Sequence, residues 1–254
     1  MRFAKKSLGQ NFLTSGRIRT AIIDAGEIHS EDIVLETGPG MGFLTEKMLP
    51  LAKRLVAVEK DSRLIPILEE KFSEYSRTGK LELLERDILD FDTEEMRAYG
   101  NSYKVIANIP YYITGQFIRK FLTADFKPNK MVIMVQSEVA DRIIARDGKE
   151  SLLSLSVKAF STPTRVIKVS KNNFSPAPSI DSAVISLNNI SSQFKNTDEE
   201  KAFFELLKKG FGQKRKMLSG TLGLKVEDFE GCKISPKSRP EELSLEKWLC
   251  LADK

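Results

Sequence analysis

The sequence predicts an α/β fold, a doubly wound and mostly parallel sheet with an antiparallel last strand, followed by a small helical domain. Two observations point to it first. Short apolar runs alternate with helical spacing five times from Ile33 to Phe160, the rhythm of βαβ units. Two further strand patterns, Arg165–Val169 and Ser182–Leu187, then follow with only an Asn/Pro/Ser-rich stretch between them. That stretch has no room for a crossover helix, so the last strands must run antiparallel. A third observation sets the boundary. After Asn188 strand patterns cease, Ile190–Thr197 is polar and linker-like, and amphipathic helical spacing takes over. The expected division is therefore 1–189 and 190–254.

Taken in order, Ile33–Glu36 reads as a buried strand that meets a glycine cluster, and Gly42–Leu49 as a helix that Pro50 ends. Arg54–Glu59 alternates as a strand, and Asp61 is placed to cap a helix running towards Tyr75. Leu81–Glu85 and Tyr103–Asn108 are the third and fourth strands, with a helix over Thr114–Leu122 after the fourth. Met131–Val135 is continuously apolar, as a strand covered on both faces would be. Val139–Ala145 and Leu152–Phe160 have helical spacing, as do Asp198–Phe211 and Glu241–Ala252 beyond the linker.

Composition narrows the chemistry. The chain has 254 residues, 41% hydrophobic and 30% charged, with one histidine and two cysteines. His29, in a polar turn, and Cys232 and Cys250, without CxxC spacing, make structural zinc and Ser-His or Cys-His catalysis poor expectations. No apolar run reaches the ~18 residues of a membrane span. Net charge is +5, and residues 1–23 hold Arg2, Lys5, Lys6, Arg17 and Arg19 with no acid, so the whole surplus lies there. Such a start fits a targeting peptide, an arm that touches phosphates, or a plain solvated end.

The motifs cluster at strand ends. Glu36-Thr37-Gly38-Pro39-Gly40-Met41-Gly42 joins the first strand to its helix. The pattern is GxGxG, and Phe43 stands where a dinucleotide fingerprint has its third glycine, which argues against a nicotinamide cofactor. An acid followed by GxGxG is instead the pattern of S-adenosylmethionine methyltransferases. Glu59, 17 residues after Gly42 at the tip of the second strand, can accept both hydroxyls of a ribose. Asp87, at the tip of the third, can accept the exocyclic amine of an adenine.

The stretch Asn108-Ile109-Pro110-Tyr111-Tyr112 ends the fourth strand beside the same crevice. Sequences of this kind mark enzymes that methylate a ring amine. An exocyclic adenine amine is a poor nucleophile because its lone pair is delocalised. The Asn108 side-chain carbonyl and the Ile109 backbone carbonyl can each accept one of its N–H groups and draw the nitrogen towards tetrahedral geometry. Pro110 fixes the turn that presents that carbonyl, and Tyr111 offers a flat face to a base taken out of its stack.

Seven segments then appear in order: "KKSLGQNFL", "ETGPGMG", "VAVEKD", "RDIL", "NIPYYIT", "QSEVADRI" and "FSPAPSIDSAVISL". On these the sequence resembles the KsgA family of small-subunit rRNA adenine N6,N6-dimethyltransferases, strongly from residue 5 to about 188. Thr37 and Ser137 depart from the usual pattern, which has an aliphatic residue and a lysine there. The resemblance implies a class I, Rossmann-like S-adenosylmethionine-dependent methyltransferase fold. It implies a cofactor pocket lined by Asn11, Leu13, Gly38, Glu59, Asp87 and Asn108, with Glu36, Gly40 and Ile88 from the same motifs. Phe174 would be a second aromatic against the target adenine. Lys5, Lys6, Arg17 and Arg19 become phosphate contacts rather than a removable leader, and Lys214, Arg215 and Lys216 form a second candidate patch.

The expectation is a cytoplasmic, monomeric enzyme that acts on small-subunit rRNA in an immature 30S particle, with no metal. Its nearest rival is the related large-subunit rRNA methylase, which tends to read "NIPYHLST". The other is a non-catalytic RNA-binding factor, which would not need Glu36, Glu59, Asp87 and Asn108 together.

Overall fold

A computed structural model describes residues 9–213 and 216–254. The elements run β1 (Phe12–Leu13), α1 (Gly16–Gly26), β2 (Ile33–Thr37), α2 (Thr45–Met48), β3 (Arg54–Glu59), α3 (Ile65–Lys71), α4 (Ser73–Arg77), β4 (Leu81–Glu85), β5 (Lys104–Ala107), α5 (Thr114–Leu122), β6 (Lys130–Gln136), α6 (Ser137–Ile144), α7 (Leu152–Lys158), β7 (Thr162–Val169), β8 (Phe174–Ser175) and β9 (Ser182–Asn188). They continue with α8 (Thr197–Phe211), α9 (Ser219–Leu222), α10 (Val226–Gly231) and α11 (Leu245–Ala252).

Seven strands form one sheet in the order β4-β3-β2-β5-β6-β9-β7. β2 to β6 pair in parallel, and β9 runs antiparallel between β6 and β7. The continuous apolar runs now have their reason. Val34, Leu35, Leu55, Val56, Val105, Ile106, Met131 and Ile133 are all buried, as strands covered on both faces require. β7 is an edge strand, which is why it accommodates Pro163 and a bulge between Arg165 and Ile167.

The elements depart from expectation in places. The helix expected over Gly42–Leu49 is a single α-turn, because the three glycines before it hold the chain in turns. Asp61 does not cap the next helix. Its carboxylate is taken by Arg63 and Gln10, and α3 starts at Ile65 with a proline in its first turn. The helix itself breaks at Phe72 into α3 and α4. β1 and β8, two residues each, pair antiparallel through Phe12↔Ser175 and Leu13↔Phe174, a contact too short for any periodicity to reveal.

The chain forms two compact units. The first runs to Ala140 and includes Thr162–Ser191; the second comprises Asp141–Ser161 and Ser192–Lys254. This differs from the expected 1–189 and 190–254, since 141–161 packs with the second unit. There Phe160 stacks on Phe204 at 6.1 Å and meets Phe194 at 5.7 Å, and the Glu150 N–H donates to the Glu241 carbonyl at 2.8 Å. Helical spacing announces an apolar face without saying what will cover it. Cys232 and Cys250 form a disulfide within this unit.

Trp248 on α11 is fully buried in the second unit, and its ring approaches the backbone of α8 so closely that a Cβ on Gly210 would lie 2.4 Å from it. Helix propensity alone favours Gly210→Ala by ~1 kcal/mol. The overlap should reverse that sign, with a net loss of roughly 1–3 kcal/mol typical of overpacking. Chemical denaturation of the Gly210→Ala variant checks this, and a rise in stability would contradict the packing described.

Candidate active site

From β2 the chain moves outward to β3 and β4, then returns to β5 on the other side of β2. The carboxyl ends of β2 and β5 flank that switch point, where open α/β sheets bind their ligands. A cavity of about 710 Å³ opens there, within the ~300–1,000 Å³ usual for small-molecule sites. Its walls are the turns after β2, β3, β4 and β5, closed over by residues 9–14.

The turn after β2 is built by its glycines. Gly38, Gly40 and Gly42 all have φ between 60° and 76°, and a Cβ on Gly42 would lie 2.5 Å from the Phe72 ring. The Gly40 N–H points to Glu59 and donates to its Oε2 at 3.0 Å. Glu59 Oε1 accepts the Asp61 N–H at 2.8 Å. Glu59 is therefore held by two backbone donors, with a lone pair left on each oxygen for a ligand. Burial pushes its carboxyl up, against the pull of those two donors.

Glu36 lies deeper. One oxygen accepts the Thr45 hydroxyl at 2.7 Å, and the other is buried without a partner, as is the hydroxyl of the next residue, Thr37. Burial pushes the Glu36 carboxyl up to about 8, the Thr45 hydroxyl opposes this, and the nearby Glu59 charge adds to it. Two unpartnered polar atoms in a cavity wall fit a ligand with donors of its own.

Asp87 lines the cavity with Ile88. Its Oδ1 accepts the Leu89 N–H at 2.9 Å, and its Oδ2 is taken by the Lys60 ammonium. Burial raises the Asp87 carboxyl, but Lys60 and Leu89 outweigh it and the net direction is down. An adenine amine would share this carboxylate with Lys60.

Asn108, Ile109, Pro110 and Tyr111 all line the same cavity. Pro110 sits at φ −57° and leads into a 3-10 turn over Tyr111–Ile113. The Asn108 side chain makes no hydrogen bond to a described residue, so its carbonyl is available. Tyr111 is half-buried, with its hydroxyl 2.5 Å from Ser182 Oγ, which fixes the ring, while Tyr112 is 66% exposed. Phe174 is not brought here. It is buried in the core cluster, paired with Leu13 across β1–β8, and does not line the cavity.

Asn11 and Leu13 line the cavity from the arm, and Asn11 Nδ2 donates to the Gly9 carbonyl at 3.1 Å. Of the cationic candidates, Arg17 is exposed. Arg19 is engaged within the fold, its guanidinium 4.3 Å from the Phe43 ring centre and 3.7 Å from Glu46. Lys216, in the second unit, is exposed. Lys5, Lys6, Lys214 and Arg215 lie outside the described residues. Among the described residues there is no His/Cys/Asp/Glu group arranged to hold a metal ion, and no helix long and apolar enough to cross a membrane.

Sequence reasoning missed Gln10, Thr45, Lys60 and Ser182 as parts of the site, and misassigned Asp61. Gln10 and Lys60 had a signal, adjacency to Asn11 and Glu59. Ser182 had none, since 71 residues separate it from Tyr111.

This sheet order, glycine turn and set of acids at successive strand tips define a Rossmann-like methyltransferase. The chain belongs to the ribosomal RNA adenine dimethylase family, whose model matches residues 1–253. It is 40% identical to a ribosomal RNA small subunit methyltransferase A of Dehalococcoides mccartyi, over 98% of this chain and 88% of that one. Identity to the Clostridium botulinum protein of the same name is 39%, over 98% and 92%. Among solved structures, a dimethyladenosine transferase from Plasmodium falciparum superposes with a TM-score of 0.81 at 28% identity, covering 94% of this chain and 95% of that one. The 23S rRNA methyltransferase ErmE shares the fold, with a TM-score of 0.80 at 23% identity over 96% and 98%.

The Glu36 environment predicts a pH dependence. The folded state retains a proton that the unfolded chain loses above about 4.5. The folded state thus binds more protons between about 4.5 and about 8, and stability falls as pH rises through that window. Glu36→Gln cannot ionise and should remove this slope, so its Tm relative to the parent should be higher at about pH 8 than at about pH 5. Equal differences at both ends would show that Glu36 titrates normally.

Proposed function

We propose that this methyltransferase moves two methyl groups from S-adenosylmethionine to the N6 nitrogen of each of a pair of adjacent adenosines in small-subunit rRNA, on an immature 30S particle. The observation that carries the reading is the shared cavity. The Asn108–Tyr111 loop and the acids Glu36, Glu59 and Asp87 line one cavity, so an amine-presenting loop stands beside a nucleoside-type site. The names of the relatives at about 40% identity favour the small subunit over the large-subunit rival.

The residues fit the cofactor. Glu59 has free lone pairs for the ribose, Asp87 for the adenine amine, and the unpartnered Glu36 and Thr37 oxygens stand at the inner wall. When bound, S-adenosylmethionine supplies an electrophilic methyl. The chain's own work is then placement. Asn108 and the Ile109 carbonyl accept the two N–H groups of the target amine, Tyr111 stacks on the base with its hydroxyl braced by Ser182, and the arm excludes water. Fixed acceptors aimed at developing charge cost no reorganisation during reaction. After one transfer a single N–H remains, so stacking must hold the base for the second. Stacking is worth roughly 1–3 kcal/mol per base.

The decisive experiment uses small-subunit particles from a strain lacking the modification. Label from S-adenosylmethionine should appear as N6,N6-dimethyladenosine when the rRNA is digested and its nucleosides resolved by mass. Monomethyladenosine alone after exhaustive reaction, or label confined to large-subunit rRNA, would overturn the proposal. Asn108→Ala should lose most turnover yet still bind the particles; turnover near the parental rate would remove Asn108 from the chemistry. Replacing Lys5, Lys6 and Arg17 with Glu should weaken particle binding and flatten its dependence on salt, because fewer counterions are released. An unaltered slope would mean the arm does not touch phosphates.

A further inference from the structure

The arm that closes the cavity is tied down at a point outside the cofactor's expected contacts. Asp61, just past β3, is 5% exposed, and a carboxylate so buried requires strong donors. Arg63 provides a two-pronged pairing, Nε to Oδ1 at 2.8 Å and Nη2 to Oδ2 at 2.6 Å. Gln10 Nε2 then donates to Oδ2 at 2.8 Å across 51 residues of sequence. Arg63 and Gln10 hold the Asp61 carboxyl well below the usual range, so it stays ionised. Hydrogen bonds to an ionised acceptor are roughly twice as strong as neutral ones.

The same residue reaches the ligand site from its other side, since the Asp61 N–H donates to Glu59 Oε1. The arm's opposite flank rests on the amine-presenting loop. Gly9 has φ +62°, and a Cβ there would lie 3.3 Å from both Pro110 Cβ and the Tyr112 ring. Gly9 and Gln10 thus span from the β5 loop to the β3 tip, over the switch point. Among the described residues, backbone pairing of the arm with another strand begins at Phe12.

We infer that Gln10, Asp61 and Arg63 form a latch that holds the N-terminal arm over the cavity, making Gln10 and Asp61 positioning residues that act through Glu59 and the arm. The inference rests on the cavity being the cofactor site. While the Gln10–Asp61 bond is closed, residues 9–14 stay in place along the cavity wall. The latch also sets one distance, between the acceptor of the ribose and the loop that offers the target amine.

The test uses the full-length free protein and hydrogen–deuterium exchange. Gln10→Ala should raise exchange of the amides of residues 11–14 by about tenfold, equivalent to ~1.4 kcal/mol, with peptides over β2 and β3 unchanged. Gln10→Glu sets two carboxylates against each other and should raise it further, while Gln10→Lys should restore protection. S-adenosylhomocysteine titrated by calorimetry should bind about tenfold more weakly to Gln10→Ala, and Asp61→Asn added to that variant should cost less than Asp61→Asn alone. Unchanged arm exchange in Gln10→Ala, or full additivity of the pair, would overturn the latch. Failure of the parent protein to bind S-adenosylhomocysteine would instead overturn the cofactor reading, and the exchange result would still decide the latch.

Discussion

A single buried carboxylate organises the site. Glu59 ends β3 with almost no exposure, accepting one backbone N–H from the glycine turn and another from Asp61. Burying a charged group without partners would cost several kcal/mol. Here the partners are backbone donors that the turn would otherwise leave unpaired, so one pairing satisfies both needs. The glycine turn keeps its shape because Glu59 holds Gly40, and Asp61 is oriented because it leans on Glu59.

The acids around it divide by environment. Glu36 is enclosed beside a like charge and its carboxyl rises. Asp61 is clamped by Arg63 and its carboxyl falls. Asp87 lies between, partly exposed and paired with Lys60. Three neighbouring carboxylates, two in the cavity wall and one behind it, therefore differ in proton affinity because their surroundings differ. Among the described residues these acids form no metal-type cluster.

Rigidity around the Asn108–Tyr111 loop comes from distant chain. Tyr111 is braced by Ser182 of β9, and β9 is wedged between β6 and β7. The antiparallel end of the sheet thus holds the Tyr111 ring in the cavity wall. The second unit is consolidated separately, by Phe160, Phe194, Phe203 and Phe204 and by Trp248 against Gly210.

Much of this is legible in the sequence. Apolar runs such as Met131–Val135 dictate buried strands because parallel strands are covered on both faces. The missing crossover between Val169 and Ser182 dictates the antiparallel end. Glu36, Glu59, Asp87 and Asn108 are legible as one cluster because each lies at or just beyond the carboxyl end of a strand, and parallel strands present those ends on one edge. Tertiary structure alone decided what depends on long-range pairing. No local pattern tells Phe174 to turn into the core opposite Leu13, sends Asp61 to Gln10 rather than to the helix after it, or sets Lys60 on Asp87. Nor does helical spacing in 141–161 say which unit will cover it. Periodicity reports which face of an element is apolar. Which side chain meets which is settled only when elements far apart in sequence compete for the same buried partner.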